Sequence, residues 1–288
     1  MTYAKTRTLG RYGLAMMLLG LSSVLVAAEP KAFKVCADPN NPPLSSSDGK
    51  GYENEIAALF AQQLGQKLEY TWFPQRLGFI RNTLKAKQAE DSPDYKCDVV
   101  MGVPAGFEMA ATTQPYYRST YVMVFKKAGP LAAVNAPGDI DQLSPDAKSR
   151  LRIAMFDGAP GTTWILNHGL VGQGIPYQTM TGDVSQNTAQ VLAKDFADDK
   201  IDMVIIWGPI AGYLASQSPN EFVLLPMKSE PGLKFDFAMS MGVRMPDKER
   251  KKLLDELIEK NADKIRAILQ AHQVVLLDKD GNRLPASD

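Results

Sequence analysis

Residue types that carry most metal and nucleophile chemistry are scarce in this chain: two histidines, His168 and His272, and two cysteines, Cys36 and Cys97, among 288 residues. A zinc protease needs two histidines one helical turn apart. Here they are more than a hundred residues apart, and that class is excluded. Neither histidine neighbours a cysteine in sequence, so no metal site is expected, and no cofactor. There is no Gly-x-Ser-x-Gly elbow and no Walker-type phosphate loop. Gly169, Gly172 and Gly174 have the wrong spacing for a dinucleotide fingerprint and read as a surface turn. Carboxylates are plentiful, which leaves acid-base chemistry open by inventory, but no pair is marked by spacing or by an apolar setting. Asp198 and Asp199 read as a solvated helix end. No catalytic residue is assigned and no enzyme is expected.

Composition places the chain among globular proteins, at 45% hydrophobic and 22% charged residues. It is too apolar for intrinsic disorder, too poor in cysteine for a disulfide-stapled miniprotein, and too balanced, with 32 basic against 32 acidic side chains, for nucleic acid as a partner. The balance is uneven along the chain. Lys5, Arg7 and Arg11 precede an apolar stretch from Tyr12 to Val26 that ends in Val26-Ala27-Ala28. A basic segment, a short apolar segment and small residues before a cut describe a secretory signal peptide over residues 1–28. The stretch is shorter than a bilayer span and interrupted by Gly20, Ser22 and Ser23, so cleavage is expected rather than anchoring. Removal leaves 260 of the 288 residues, and 29 of the 32 basic side chains against all 32 acidic ones, a net charge of −3. A mildly acidic periplasmic protein is expected, with no integral membrane span after cleavage. An oxidising compartment permits Cys36 and Cys97 to pair. If both lie on parallel neighbouring strands, however, a register offset of about three residues separates them by ~10 Å, beyond disulfide reach, and the pairing stays open.

Elements that position side chains alternate between strand and helix. Phe33 to Ala37, Lys67 to Phe73 and Asp98 to Gly102 read as strands. Between them, Glu53 to Leu64 is an amphipathic helix stopped by Gly65, and Leu77 to Gln88 is a second, with Phe79, Ile80 and Leu84 inward. After Gln114-Pro115-Tyr116-Tyr117 the pattern resumes: strands at Tyr121 to Phe125, Arg152 to Phe156 and Ile201 to Trp207, and helices at Thr162 to His168 and Ser185 to Ala197. Strands at Phe222 to Pro226 and Phe237 to Val243 and one long helix from Pro246 to Gln273 complete the chain. This is an α/β pattern of mainly parallel sheets flanked by helices.

In order, Cys36-Ala-Asp-Pro-Asn-Asn-Pro-Pro-Leu44, Gly51-Tyr-Glu-Asn-Glu-Ile56, Asp98-Val-Val-Met-Gly-Val103, Pro115-Tyr116-Tyr117 and Asp202 to Tyr213 resemble the extracellular solute-binding proteins of family 3. A narrower resemblance is carried by Phe73 to Leu84 (FPQRLGFIRNTL), Cys97 to Pro104, Thr112 to Tyr121 and Cys36 to Pro43. These segments are similar to the quinoprotein dehydrogenase-associated branch, the MxaJ/XoxJ proteins of methylotrophic bacteria. The resemblance covers nearly all of the mature chain. It implies a type II periplasmic-binding-protein fold of two lobes, residues 29–118 with 229–288 and an inserted lobe 119–228, with Tyr116 and Tyr117 at the hinge. It also implies a role beside a periplasmic pyrroloquinoline-quinone (PQQ) methanol dehydrogenase, in its assembly, activation or binding.

Amino-acid binders of that family clamp the ligand carboxylate with an arginine before Pro-Tyr-Tyr and the ammonium with an aspartate in the late strand. At the matching positions this chain has Gly106 and Trp207. A buried charge without its counter-charge costs several kcal/mol, which opposes an amino-acid ligand. Arg118, close by, sits past the hinge tyrosines. The cleft implied at the carboxyl ends of the strands has as candidates Asp38 and Asn40, Arg76, Gly102 and Gly106, Thr162 at a helix start whose backbone N–H groups suit an anion, and Trp207. Tyr116 and Tyr117 read as hinge packing. Two other functions stand beside the dehydrogenase role: a transporter's binding protein for a small polar or organic solute, and an enzyme on the same scaffold, such as a dehydratase. The enzyme needs an acidic side chain in the closed cleft.

Overall fold

The computed structural model describes residues 1–3, 32–179 and 183–285; the leader expected over residues 1–28 lies outside them apart from its first three residues. Among the described residues no helix is long and apolar enough to cross a membrane.

The first strand, β1 (Phe33–Ala37), is followed by a small hairpin, β2 (Asn40–Asn41) with β3 (Ser45–Ser46), then by helix α1 (Tyr52–Leu64) and β4 (Leu68–Trp72). Ile56 and Phe60, one helical turn apart, are fully buried, and Gly65 ends α1 in the left-handed conformation. A single helical turn, α2 (Phe79–Asn82), precedes β5 (Val99–Pro104), β6 (Ala111–Thr112) and the long β7 (Tyr117–Lys126). Next come α3 (Pro145–Ser149), β8 (Ile153–Phe156), α4 (Pro160–Asn167), β9 (Gly174–Tyr177), α5 (Thr188–Ala197), β10 (Met203–Trp207), α6 (Gly208–Gln217) and β11 (Phe222–Pro226). The chain returns through β12 (Asp236–Val243) to α7 (Lys248–Lys260) and α8 (Ala262–Ala271).

The strands are hydrogen-bonded in the order β4-β1-β5-β12-β7-β10-β8-β9. Pairs built by strand-helix-strand units, β1 with β4 and β5 and β8 with β9 and β10, are parallel. The pairs made by β7 and β12 are antiparallel, so the sheets are mixed rather than mainly parallel. One strand serves both parts: β7 pairs with β12 through Tyr117 to Thr120 and with β10 and β11 beyond that. Side chains sort accordingly. Val35, Val99 and Met101 pack with α1 and with Leu254, Ile258, Ile265 and Leu269 in one core. Along β7 and β10, Met123, Phe125, Met203 and Ile205 face one layer of helices while Val122, Val124 and Val204 face the other, the period-2 signature of strands buried on both sides. Each such buried side chain contributes about 1.5–3 kcal/mol.

Two expected helices are corrected. The helix over 77–88 lasts one turn because the buried Thr83 turns its hydroxyl back onto the Phe79 carbonyl and leaves helical geometry. Leu84 is thereby buried, while Leu77 is 94% exposed. The long terminal helix breaks at Asn261. Its side chain donates to the Leu257 carbonyl at 2.7 Å and forms an amide pair with Gln63 of α1, so α8 packs on α1 while α7 packs on β12.

Cys36 and Cys97 form a disulfide, with Cα atoms 5.4 Å apart. The register reasoning was sound for a straight strand, since Cys36 is opposite Val100. However, β5 begins only at Val99, and Cys97, outside the strand, joins Cys36 in a small core with Phe79, Ile80 and Leu84. Closing a loop with a separation of 61 residues stabilises by about 4 kcal/mol on the chain-entropy account.

Candidate functional site

A cavity of about 360 Å³ lies where the carboxyl ends of β1, β4, β5, β9 and β10 converge, the place open α/β sheets offer ligands. Asp38, just past β1, organises one wall. Its carboxylate accepts the backbone N–H of Asn40 at 2.8 Å and of Gln75 at 2.5 Å, tying the loops after β1 and β4 together. Asn40 closes the mouth. Its amide donates to the Val184 carbonyl at 2.8 Å and accepts from Asn187 Nδ2 at 2.9 Å. Asn187 is also the N-cap of α5 through Gln190 N–H, which is why that helix starts at Thr188 and leaves residues 183–187 as cavity rim.

The floor is aromatic. Trp207 ends β10, and its ring meets Tyr121 at 5.5 Å and Phe237 at 6.0 Å between centroids, both edge-on. All three line the cavity with Ile210 and Met239. Gly102 forms part of the wall, and a side chain there would collide with the Glu53 carboxylate. Glu53, on α1, is 8% exposed. Burial first, and then the Asp38 charge, push its carboxyl up to about 8 from the ordinary 4.5. Around it stand Tyr52, Tyr70, Tyr116 and Tyr117, whose hydroxyls burial holds above their ordinary value.

Of the candidates, Asp38, Asn40, Gly102 and Trp207 meet at this cavity. Three lie off it. Arg76 is exposed, its guanidinium 5.4 Å from the Phe73 ring. Gly106 occupies an exposed turn at φ +79°, its N–H bonded to Thr112. Thr162 spends its backbone N–H on the Ala159 carbonyl and its hydroxyl on the Phe156 carbonyl, so its own donors are engaged within the fold. Tyr116 donates to the Met101 carbonyl and Tyr117 bonds the Tyr52 hydroxyl; neither lines the cavity. Arg118 is paired with Asp236. Among the described residues no group of three His, Cys, Asp or Glu side chains is placed to hold a metal. Asp38 and Asp183 line the cavity, so an acidic side chain is present there. Glu53 carried a sequence signal that went unused: it shares a helical face with Ile56 and Phe60, at spacings of three and seven.

No protein-family model matches the chain. Mixed α/β sheets with a cavity at their carboxyl ends define a periplasmic-binding-protein fold of type II, and an ancestral amino acid-binding protein, AncCDT-1, described as a precursor of cyclohexadienyl dehydratase, shares that fold at 15% identity and a TM-score of 0.60 over 84% of this chain and 95% of its own. The crystal structure of the periplasmic binding protein XoxJ from Methylobacterium extorquens AM1 matches at 34% identity and a TM-score of 0.67, covering 86% of this chain and 100% of that one. Protein MoxJ of Methylorubrum extorquens is 28% identical over 275 residues, 89% of this chain and 86% of that protein. The chain belongs to the MoxJ/XoxJ family.

Proposed function

We propose that this protein is an exported, non-enzymatic accessory of a PQQ-dependent methanol dehydrogenase that assists its assembly, activation or binding in the periplasm. Membership of the MoxJ/XoxJ family supports the reading. The observation that carries it is the cavity: where an amino-acid binder grips a zwitterion, no lysine or arginine is found among the described lining residues and Trp207 packs against Tyr121 and Phe237. In this reading the chain works as two lobes, 29–118 with 229–288 and 119–228, which pivot about Tyr116 and Tyr117. A non-catalytic role is supported by Asp38, whose two carboxylate oxygens are each engaged by a backbone N–H, a structural use of the group.

Deleting this chain from a methylotrophic host is expected to lower methanol dehydrogenase activity and to leave the dehydrogenase polypeptide detectable in cells. Full activity in the deletion strain overturns the proposal. The second reading, a transporter's solute-binding protein, is favoured by the size of the cavity, which falls in the range of small-molecule sites. A deletion strain that oxidises methanol normally but fails to take up a solute would establish it.

A further inference from the structure

The charged groups among the described residues that line the cavity are carboxylates, those of Asp38 and Asp183. Hydrogen bonds from Ser185 hold Asp183 below the usual carboxylate range, and so ionised. The opposite face presents Trp207, Tyr121 and Phe237 in mutual edge contact, an arrangement whose ring faces attract cations. Phe237 already holds one: the Lys234 ammonium is 5.1 Å from its centroid. Lys234 itself does not line the cavity, and neither does Arg76.

A second observation is independent of that lining. Glu53 is more than nine-tenths buried and is not itself a lining residue, but its carboxyl lies directly behind Gly102, a wall residue with no side chain between the two. Among the described residues it accepts no hydrogen bond and meets no cation; burial and the Asp38 charge both oppose its ionisation. A cation entering beside Gly102 would reverse that balance, because an opposite charge nearby favours the carboxylate.

We propose that the cavity is a binding site for a small organic cation with an apolar body and no carboxylate, its positive group held by Asp38 and the Trp207 ring, with the Glu53 carboxyl behind Gly102 adding a charge as it ionises. The site does not depend on the dehydrogenase role, and its chemistry is the inverse of an arginine clamp: anions are repelled by the wall that attracts the cation. Binding draws the proton from Glu53, so affinity rises as the pH passes through 8. Of the titratable groups that face Glu53, Asp38 is a carboxylate and Tyr52, Tyr70, Tyr116 and Tyr117 are held neutral well above that pH.

Calorimetric titration of the mature chain with benzyltrimethylammonium, benzyl alcohol and phenylacetate tests this directly. The cation is expected to bind at least about tenfold more tightly than either of the others, to bind more tightly at pH 9 than at pH 7, and to release protons, read as a heat that varies with buffer. Glu53→Gln is expected to remove the pH dependence and the proton release and to leave binding at pH 9 no tighter than at pH 7. Trp207→Ala weakens binding about tenfold and Trp207→Phe restores most of it. No binding of the cation at 10 mM, a standard screening limit of about 3 kcal/mol, or phenylacetate binding equally well, overturns the proposal. A deletion phenotype in methanol oxidation leaves this result untouched, so the two readings fail separately.

Discussion

At the mouth of the cavity, Asn40 reaches across to Val184 and Asn187 through neutral side-chain hydrogen bonds, the first exposed and the second half-buried. Beneath the floor, Ser119 and Thr120 are wholly buried and give their hydroxyls to the carbonyls of Val275 and Met227. The C-terminal segment adds a further tie. Val274 and Leu276 pack in the core of α1 while Val275, between them, packs in the core of α5 and α6. On α6, Gly208 and Gly212 let the backbone lie directly against Thr120 and Gln273. Near solvent a neutral hydrogen bond is worth about 1 kcal/mol, whereas a buried group left unsatisfied costs about 1–3 kcal/mol. The difference predicts which end gives in the proposed two-lobed reading: the mouth breaks first, while the buried ties of Ser119 and Thr120 hold.

The wall behind Gly102 is where pH acts. The folded-state value for Glu53, about 8, lies above the ordinary 4.5, so between those values the folded protein keeps a proton that the unfolded chain has released. The stability Glu53 contributes in its neutral form is fully present below pH 4.5 and is lost as the pH rises through 8. Glu53→Gln is therefore expected to gain stability over the parent between pH 5 and 8, with an upper limit of about 5 kcal/mol, read by urea denaturation at both pH values; a constant difference contradicts it. Next in size, Gly212→Leu drives a side chain into the Gln273 carbonyl and is expected to cost about 3 kcal/mol and to detach the C-terminal segment, seen as faster amide exchange at Val274 to Leu277. Ser119→Ala removes the buried hydroxyl's bond to the Val275 carbonyl, for about 1.5 kcal/mol. The smallest effect on stability is at the mouth. Asn40→Ala costs about 1 kcal/mol, yet it is expected to raise iodide quenching of tryptophan fluorescence more than Ser119→Ala does. The reverse order would show that the floor, not the mouth, opens.

How far the sequence foretold this arrangement depended on what local pattern encodes. The strands were legible because Val35, Val99 and the run from Met203 to Ile206 are apolar where burial requires it. Trp207 is placed at the cavity by the resemblance, which counts it from Asp202 to the ligand-clamping position, and by its place at a strand's carboxyl end. Arg76, Gly106 and Thr162, also expected at the cleft, lie off the cavity, since loop geometry and the Thr162 hydroxyl's bond to Phe156 are tertiary choices with no periodic signal. The same holds for residues 185–187, which read as the start of a helix until Asn187 is seen to cap α5 and hold Asn40. Thr83 and Asn261 each ended a helix by a side-chain bond to the carbonyl four residues earlier, an option that apolar spacing does not reveal. Glu53 was the one site residue available from helical phase alone.

The proposed role is tested most directly by what leaves the periplasm with this protein. Affinity purification of the tagged mature chain from methanol-grown cells is predicted to bring down subunits of a PQQ methanol dehydrogenase in amounts that survive a salt wash. Recovery of the chain without any dehydrogenase subunit, from cells in which the enzyme is abundant, would contradict it.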